Sequence, residues 1–587
     1  MDVSDLTADV RQLPAATVTT VADGLGKSMQ LLGVVHAYGV CGGAQALLWA
    51  SLSKYLHLLH FRHESGAAFA ATEASIAANV PVVVFTTTGP GITNALTGMI
   101  AARSEGAKVI LVSAYASAPQ RGRGGIQETS SYTMPSGGLF QAGAWFDDAV
   151  VLDSADQLPQ VLRRISAGLH RPGGYVAHIS VPNAVQGVPL SQPLPRLSAR
   201  NGDSVTPTVN PAAIARCVGL LSGRPFAIWA GFGARHASAR LLAFAERTGA
   251  VVMCSPRAKG VIPETHRLFI GVTGMGGHTA SVVAHMREHA PYRTLVLGTR
   301  LGEPTSFWNP GLVPEGGFVH VDLDPMVPGV AYPLADTYAV QGDSDEVLGA
   351  LLDAWPDQAS SVAEVAPPHP AFPALDAGGK VRPDFLMAML QEEVVDGSDA
   401  IVLAESGNAF TWATHYLRFP EPNRYRVSTN LGSMGHAATG ALGVASATGR
   451  PAVVISGDGS MLMNSEVNTA VKAQLPVVWV VLNDGRYNMC FQGMDALGMG
   501  GAADATFPPV DFALLARAMG AHSIRVEHET ELRGALAQAL ACGGPFVVDV
   551  IIDADRVAPT HGRNEGLRAN QALEKREGLS FPLITSN

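Results

Sequence analysis

The sequence has few charged residues and no long polar tracts. Charged side chains make up 15% of the 587 residues, whereas apolar side chains make up 47%. This composition allows most of the chain to be buried and argues against long disordered segments. Because a domain usually contains about 100–200 residues, we expect three or four domains.

Cysteine is also scarce. The five cysteines are Cys41, Cys217, Cys254, Cys490 and Cys542. They lie far apart, without the short spacings of a zinc site or the pattern of a disulfide framework, so we expect a reducing, cytoplasmic environment. The formal net charge of −10 argues against a nucleic-acid partner, whose phosphates would be repelled.

No hydrophobic run is long enough for a membrane helix. The longest runs, such as residues 81–85 and 477–482, suit buried strands and fall far short of the roughly 20 residues that span a bilayer. Residues 1–14 carry acidic side chains early and lack an apolar centre, so they do not match a signal peptide. We therefore expect a soluble protein without a membrane partner.

What the sequence does contain is an alternation of short β-branched runs with alanine-rich stretches. Residues 82–86 are predicted to form a strand, 92–102 a helix and 109–113 the next strand. This alternation is typical of parallel sheets that are covered by helices on both faces. The predicted fold class is therefore α/β, with mainly parallel sheets.

Two proline-rich segments, 189–207 and 360–373, interrupt the alternation, and we interpret them as linkers. They divide the chain into three α/β domains, and the polar C-terminal end is predicted to form an arm. The predicted boundaries are 15–188, 208–355 and 381–555 for the domains and 556–587 for the arm.

The strongest local pattern consists of two acidic turns after two predicted strands. Gly457-Asp458-Gly459-Ser460 follows residues 452–456, and Asn483-Asp484-Gly485-Arg486 follows residues 477–482. The carboxyl ends of parallel strands meet at one edge of a sheet, where open α/β sheets bind ligands. Glycines let the backbone approach a phosphate, and carboxylate oxygens suit a hard dication. The two turns therefore predict a site for a metal ion and a diphosphate.

These turns resemble the signature of thiamine-diphosphate-dependent enzymes of the acetolactate synthase-like class, which includes pyruvate oxidases and 2-keto acid decarboxylases. The resemblance implies that Mg²⁺ is held by Asp458, Asp484 and the backbone carbonyl of Arg486. Because the family commonly has Asn at the position of Asp484, Asn483 is the alternative side-chain ligand. The cofactor contacts that the resemblance implies around these ligands are Gly457, Gly459, Ser460, Tyr487, Asn488 and Met489.

The N-terminal domain resembles the pyrimidine-binding domain of the same family. Arg62-His63-Glu64 precedes an alanine-rich stretch, and Thr88-Gly89-Pro90-Gly91-Ile92-Thr93-Asn94 follows a predicted strand. The resemblance implies that Glu64 binds the aminopyrimidine ring and promotes loss of the proton from the thiazolium carbon. Gly39 and Asn94 are the other cofactor contacts implied here. For His63, a catalytic role facing the substrate and a structural role both stay open.

Two further segments extend the resemblance. Glu405-Ser406-Gly407-Asn408 stands where the family has an acidic-x-Gly-Gln element, which implies that Asn408 contacts the cofactor. Gly432-Ser433-Met434-Gly435 matches a segment in which a bulky apolar residue lies beneath the cofactor and bends it, which implies contacts from Gly432 and Met434. The alternative for Met434 is an ordinary methionine of the core.

The middle domain resembles the central domain of the family through glycine turns such as Ala230-Gly231-Phe232-Gly233 and Gly298-Thr299-Arg300. This domain carries FAD in acetolactate synthases, and in other members it binds ADP or no nucleotide. FAD is therefore one of the open alternatives for this chain.

On the substrate side the chain departs from acetolactate synthases. Ala114-Tyr115 stands where those enzymes usually have Gly-Gln, and their lysine has no counterpart near Ala144-Trp145-Phe146. The pair Gln127-Glu128 is retained, whereas the helix after the metal motif lacks the family's tryptophan. We predict substrate contacts from Tyr115 and Gln127. The resemblance supports the generic activity and does not support branched-chain amino-acid synthesis.

The resemblance implies an enzyme that decarboxylates a pyruvate-like 2-keto acid and transfers the acyl-anion equivalent to an acceptor. The alternatives are a simple 2-keto acid decarboxylase or carbon–carbon lyase and, from another class, a non-catalytic cofactor-binding regulatory subunit. Because Glu64 and Asp458 belong to different domains, the arrangement of the family implies that they meet between protomers of a homodimer or homotetramer.

Overall fold

The structure is a computed structural model, and it describes residues 19–130, 132–133, 137–143, 145–198, 209–357, 365, 368–499, 503–560 and 562–568. The segment 1–14, residues 569–587 of the predicted arm and parts of both predicted linkers lie outside the described residues.

The described strands form three six-stranded sheets, and every pairing within them is parallel. The strand orders are β2-β1-β3-β4-β6-β5, β12-β11-β10-β7-β8-β9 and β14-β13-β15-β16-β18-β17. The strands are β1 His36–Gly39, β2 His57–His60, β3 Val82–Thr86, β4 Lys108–Tyr115, β5 Asp148–Val151, β6 Tyr175–Pro182, β7 Phe226–Ala230, β8 Val251–Cys254, β9 Phe269–Val272, β10 Arg293–Leu297, β11 Phe318–Asp322, β12 Thr337–Gln341, β13 Ile401–Ala404, β14 Tyr425–Val427, β15 Ala452–Gly457, β16 Val477–Asn483, β17 His522–Val526 and β18 Phe546–Ile551.

Helices connect the strands. They are α1 Val21–Leu31, α2 Ala46–Leu52, α3 Glu64–Ala78, α4 Pro90–Glu105, α5 Leu158–His170, α6 Asn183–Gln186, α7 Pro211–Leu221, α8 Ser238–Thr248, α9 Thr279–His289, α10 Glu303–Ser306, α11 Ser344–Ala354, α12 Pro383–Leu390, α13 Asn408–Tyr416, α14 His436–Thr448, α15 Asp458–Met461, α16 Val467–Ala473, α17 Asn488–Ala496, α18 Phe512–Ala518 and α19 Leu532–Ala541.

Each sheet is buried on both faces, which explains the continuous apolar runs of its strands. In β3, Val82 and Val84 belong to one core cluster, whereas the alternate residues Val83 and Phe85 belong to another. The α/β class and the parallel sheets covered on both faces are thus confirmed. The three sheets fall within the predicted domains, whose exact ends stay predictions.

The N-terminal and C-terminal sheets share one core through the contact of α3 with α14. Residues of both helices and of both sheets belong to a single buried cluster. Small residues allow this close approach: a Cβ added to Gly443 in α14 would lie 1.9 Å from the carbonyl oxygen of Ala70 in α3. Because a larger residue would force the helices apart, glycine at position 443 is required by packing.

No helix within the described ranges has both the length and the hydropathy needed to cross a membrane. Each of the five cysteines is a free thiol.

Candidate active site

A cavity of about 250 Å³, the C-terminal cavity, lies at the carboxyl edge of the third sheet. The described residues that line it all fall between positions 383 and 556, so the N-terminal domain of the same chain contributes none of them. The predicted site residues that line the cavity are Asn408, Met434, Gly457, Asp458, Gly459, Ser460, Asp484, Arg486, Tyr487, Asn488 and Met489. The structure therefore brings together eleven residues from four separate segments of sequence.

Asp458 begins α15 directly after β15, and its carboxylate joins the two acidic turns. Its Oδ1 accepts from the backbone N–H of Gly459 at 2.7 Å. Its Oδ2 accepts from the backbone N–H groups of Asp484 at 3.0 Å and of Gly485 at 2.6 Å. Because these bonds fix the carboxylate against the next turn, the two turns form one rigid edge of the cavity.

Asp484 and Asn483 point to different sides of β16. The Oδ2 of Asp484 accepts from the Nδ2 of Asn488 at 2.6 Å, and Asp484 lines the cavity. The amide of Asn483 instead donates to the carbonyl of Val510 and to the Oδ1 of Asp549, both at 2.8 Å. Asn483 is the last residue of β16 and Asp484 directly follows it, and the different partners of these neighbouring side chains leave only one of them facing the cavity. Of the two residues, only Asp484 lines the cavity, and its role as a metal ligand stays a prediction.

The carboxyl groups of Asp458 and Asp484 lie close together where solvent has little access. Burial raises the pKa of Asp458, although backbone N–H donors oppose the shift. Burial and the charge of Asp458 raise the pKa of Asp484 to about 7. A dication would relieve both costs by neutralising the pair.

The donor set suits a metal that is bound together with a ligand. No group of three or more His, Cys, Asp or Glu side chains that could hold a metal occurs among the described residues. Two carboxylates and the carbonyl of Arg486 leave positions open for ligand oxygens, as Mg²⁺ sites with phosphates require. The side-chain oxygens Oδ1 of Asn408 and of Asn488 are buried without a hydrogen-bond partner. These residues therefore fit a Mg²⁺-diphosphate group.

Glycines keep part of the cavity open. A Cβ added to Gly457 or to Gly407 would meet no atom within 4 Å, and Gly407 has a positive φ of 103°. Gly459 differs, because an added Cβ would lie 2.6 Å from the ring of Tyr487. The backbone at Gly457 and Gly407 is thus accessible to a ligand, whereas the ring of Tyr487 covers Gly459.

Met434 projects into the same cavity. Its side chain is 36% exposed, which separates it from the methionines of the core. It precedes α14 in a turn where Gly432 and Gly435 both have positive φ. Gly432 itself does not line the cavity, and it supports the turn that presents Met434. The alternative of an ordinary core methionine does not describe this position.

Glu64 is the first residue of α3, and it is buried at 7% exposure. Its Oε2 accepts from the Nδ2 of Asn94, in α4, at 3.1 Å. Gly91 in α4 lies beside this carboxyl group, since a Cβ there would be in van der Waals contact with the Oε1 of Glu64, at 3.4 Å. The structure thus brings Glu64 and Asn94 together, away from the C-terminal cavity.

The two other predicted residues of the N-terminal half have structural contacts. The Nδ1 of His63 accepts from the backbone N–H of Ser65 at 3.2 Å, so His63 caps α3. Gly39 lies in β1 beside β3, where a Cβ would come within 1.9 Å of the carbonyl oxygen of Phe85. Strand packing accounts for Gly39, and helix capping accounts for His63. Cofactor or substrate contacts from these two residues stay predictions.

A second cavity of about 570 Å³, the N-terminal cavity, lies at the carboxyl edge of the first sheet. Tyr115, at the end of β4, and Gln127 both line it, together with Thr88 and Arg123. Gln127 has a positive φ of 54°, an uncommon conformation for a residue with a side chain. Both predicted substrate residues therefore border one cavity.

Glu128 holds the loop beside this cavity. Its carboxylate accepts from the backbone N–H groups of Gly122, Gly124 and Gly125 and from the hydroxyl of Ser130. The Ser130 hydroxyl and these N–H groups lower the pKa of Glu128. Because these hydrogen bonds are made within the loop, Glu128 stabilises the loop that forms part of the cavity wall.

A third cavity of about 760 Å³, the interdomain cavity, is lined by residues of all three domains, and it borders Arg103, Arg257, Arg300 and Asp322. The glycine turns noted in the sequence meet here. A Cβ on Gly298 would lie 2.6 Å from the Cα of Gly233, so packing of one turn on the other already requires these glycines. They are therefore no separate argument for a nucleotide.

Sequence reasoning did not find two residues that lie outside the cavities and hold the site residues in place. Gln492 accepts from the Nδ2 of Asn408 at 3.3 Å and from the backbone N–H of Ala558 at 3.1 Å, which ties α17 to the C-terminal segment. Glu466 accepts from the backbone N–H groups of Arg62 and His63. Neither residue belongs to a local motif, and their partners are distant in sequence.

Three family models match the chain, and together they cover well over half of it. The model described as thiamine pyrophosphate enzyme, N-terminal TPP binding domain, matches residues 19–134. The central domain of the same family matches residues 219–351, and the C-terminal TPP binding domain matches residues 405–550. The three matches correspond in order to the three sheets.

Curated proteins are similar over nearly the whole chain. The acetolactate synthase of Mycobacterium bovis is 27% identical over 567 residues, which cover 91% of this chain and 88% of that protein. The acetolactate synthase large subunit of Corynebacterium glutamicum is 27% identical over 91% of this chain and 87% of its own length. The acetolactate synthase isozyme 3 large subunit of Escherichia coli is 26% identical over 91% of this chain and 95% of its own length.

Proposed function

The chain belongs to the thiamine pyrophosphate enzyme family, and on this premise we propose that it decarboxylates a pyruvate-like 2-keto acid and transfers the acyl-anion equivalent to an acceptor. One observation carries the proposal. The chain has both a cavity with Asp458 and Asp484 at its edge and, in another domain, the buried Glu64 hydrogen-bonded to the exposed Asn94. The similarity to acetolactate synthases supports a carboligase.

The residues of the C-terminal cavity have distinct roles in this proposal. Asp458, Asp484 and the carbonyl of Arg486 would hold Mg²⁺, and the open backbone at Gly457 would lie against the diphosphate. Met434 would support the bent cofactor from below. When bound, thiamine diphosphate supplies the electron sink for cleavage of the bond next to the keto group.

Glu64 performs the proton chemistry in this proposal. As the first residue of α3, held by Asn94, it has a defined position for a hydrogen bond to the aminopyrimidine ring. Its burial limits exchange with bulk water. Tyr115 and Gln127, at the N-terminal cavity, would contact the keto acid or the acceptor.

We further propose a homodimer or homotetramer with active sites between protomers. The C-terminal cavity has no described lining residue from the N-terminal domain of its own chain, so Glu64 would come from the partner. Large apolar side chains are exposed in both the N-terminal and the C-terminal domain, which supports their burial against a second subunit. They include Leu47, Trp49 and Ile126 in the N-terminal domain and Leu462, Met463 and Met499 in the C-terminal domain.

The rival functions differ in product and in cofactor content. A simple decarboxylase would release an aldehyde from pyruvate whether or not an acceptor is present. A non-catalytic regulatory subunit is disfavoured because Glu64, Asp458 and Asp484 are all present. For the central domain, the interdomain cavity has room for FAD or ADP, and its arginines could pair with a diphosphate.

Two measurements test the proposal. Mass spectrometry of the small molecules released on denaturing the purified protein should find thiamine diphosphate, and it also reports whether a flavin or ADP is bound. Product analysis with pyruvate, with and without an added aldehyde or second keto acid, should find a ligated product. An absence of thiamine diphosphate, even after incubation with cofactor and Mg²⁺, would refute the proposal.

A further inference from the structure

A buried carboxylate outside the three cavities contacts the turn that precedes Glu64. Glu466 is 1% exposed and lies immediately before α16, in the C-terminal domain. Its Oε1 accepts from the backbone N–H groups of Arg62 at 3.0 Å and of His63 at 2.9 Å. Its Oε2 accepts from Arg62 N–H at 3.0 Å and from the hydroxyl of Thr469. The turn is therefore fixed by a side chain from another domain.

The contact lies at the N-terminus of α3. His63 is the N-cap residue and Glu64 the first residue of the helix, so Glu466 binds the last two N–H groups before Glu64. Gly66 brings the helix onto the carboxylate, since a Cβ there would lie 3.0 Å from the Oε1 of Glu466. A negative charge at this end of a helix is also favourable.

The same segment holds the neighbouring side chain. Arg62 donates from Nε at 3.0 Å and from Nη2 at 2.7 Å to the Oδ1 of Asn468, two residues after Glu466. Burial raises the pKa of Glu466, and the hydroxyl of Thr469 and the backbone N–H groups of Arg62 and His63 oppose this shift. Keeping a carboxylate here has a free-energy cost that an apolar contact would not have. A buried carboxylate at this position is therefore consistent with a functional role for the position of the turn.

We propose that Glu466 is a positioning residue for Glu64. By fixing the Arg62–His63 turn it sets where the carboxyl group of Glu64 lies, and hence how well Glu64 can take part in proton exchange at the cofactor. The inference rests on the proposed function of Glu64. Glu466 is eight positions after Asp458, so the segment that follows Asp458 in the C-terminal domain contacts the turn before Glu64 in the N-terminal domain.

Three variants separate positioning from stability. In Glu466→Gln the amide oxygen can replace Oε1 and accept from both backbone N–H groups, while the amide NH₂ can donate to Thr469. Glu466→Ala removes these bonds. Glu529→Ala is the matched control, because Glu529 is a buried carboxylate that likewise accepts from two backbone N–H groups, those of Asp376 and Arg382, and from the Arg382 side chain.

The first readout uses the protein without cofactor. We expect amide hydrogen–deuterium exchange, followed by mass spectrometry, to be faster at residues 62–67 in Glu466→Ala than in the wild type. We expect little change there in Glu466→Gln or in Glu529→Ala. Equal exchange at residues 62–67 in Glu466→Ala and the wild type would overturn the proposal, because the turn would then be fixed without Glu466.

The second readout is proton–deuterium exchange at the thiazolium carbon of bound thiamine diphosphate. We expect Glu466→Ala to slow it by about 10- to 100-fold, in line with the cost of small misplacements in catalytic geometry, and Glu466→Gln to restore most of the rate. If Glu466→Ala does not fold, Glu466→Asp, which shortens the side chain, should slow the exchange in the same way. Unchanged exchange in the folded variant contradicts the proposal.

Glu64→Gln in the same assay distinguishes failure of the proposed role of Glu64 from failure of the positioning role of Glu466. If Glu64→Gln leaves the exchange unchanged, the proposed role of Glu64 fails and the positioning role fails with it. If Glu64→Gln slows the exchange and the Glu466 variants do not, only the positioning role is refuted.

Discussion

Glu73 in α3 and Arg426 in β14 form a two-pronged ion pair across the contact between the N-terminal and C-terminal domains. The Nε of Arg426 lies 2.8 Å from the Oε2 of Glu73, and its Nη2 lies 3.0 Å from the Oε1. The Nε2 of His436, at the start of α14, is 2.8 Å from the same Oε1. All three side chains are buried, so this network connects the two domains away from solvent.

Removing one partner of this pair should destabilise the protein strongly. We expect Glu73→Ala to lower the free energy of unfolding by about 3–5 kcal/mol, because Arg426 would be left buried without its counter-charge. Arg533, which pairs with Glu392 and Glu393 at the surface, is the control, and Arg533→Ala should change the free energy of unfolding far less. Denaturant unfolding of both variants measures the difference. Equal effects would mean that the buried pair has no special weight.

The same network should make stability depend on pH through His436. Burial by itself would lower the pKa of His436, but the hydrogen bond and the charge of Glu73 outweigh it and raise the pKa. The stabilisation is then fully present below about pH 6.5, the ordinary value for histidine, and is lost as pH rises through the raised pKa. We expect the melting temperature of the wild type to exceed that of His436→Gln by more in acid than in mildly alkaline buffer. A constant difference would contradict this.

Glu64→Gln should retain the fold and bind thiamine diphosphate, but it should slow proton exchange at the thiazolium carbon by about 10²–10⁴-fold. Glutamine keeps a hydrogen-bonding oxygen and loses the ionisable group. Proton–deuterium exchange followed by nuclear magnetic resonance measures the rate. Circular dichroism and cofactor titration of the same sample show whether folding and binding are preserved.

Variants of the two acidic turns should identify the metal ligands. Asp458→Ala should abolish Mg²⁺-dependent cofactor binding, because the diphosphate would face Asp484 without enough compensating charge. Asp484→Asn should weaken Mg²⁺ binding modestly, since the side-chain oxygen remains, and Asp484→Ala should weaken it much more. Calorimetric titration with Mg²⁺ and thiamine diphosphate gives these affinities.

Asn483→Ala is the control for this series. It removes the hydrogen bonds to Val510 and Asp549, so we expect a loss of stability with nearly normal Mg²⁺ affinity. If Asn483→Ala weakened Mg²⁺ binding more than Asp484→Ala, the assignment of the ligand would be wrong by one residue.

Gln127→Ala should affect the substrate and not cofactor activation. Because Gln127 lines the N-terminal cavity, we expect a higher KM for the keto acid or the acceptor with unchanged proton exchange at the thiazolium carbon. Gln157→Ala, in the same domain, is the control, since Gln157 does not border this cavity. Steady-state kinetics with varied substrate provide the comparison. An unaltered KM for every substrate would remove Gln127 from the substrate site.

Local sequence patterns were sufficient for the sheets and for the metal turns. The predicted strands at 82–86, 452–456 and 477–482 correspond to β3, β15 and β16. Buried parallel strands need continuous apolar, β-branched runs, and the turns after them need glycine. Both features can therefore be recognised from residues that are close together in sequence. The placement of Asp458 and Asp484 at one edge of the sheet follows from these local patterns, because β15 and β16 are neighbours in a parallel sheet.

Contacts between distant segments are not indicated by any local sequence pattern. Nothing near Glu466 in the sequence indicates that it binds the N–H groups of Arg62 and His63, about 400 residues earlier in the chain. The pairing of Glu73 with Arg426 likewise depends on how α3 packs against the C-terminal domain. Periodicity and turn chemistry are properties of neighbouring residues. Through these properties the sequence alone determined the α/β class and the acidic turns. Only the tertiary structure decided which buried carboxylates meet which partners, because that depends on how the domains pack.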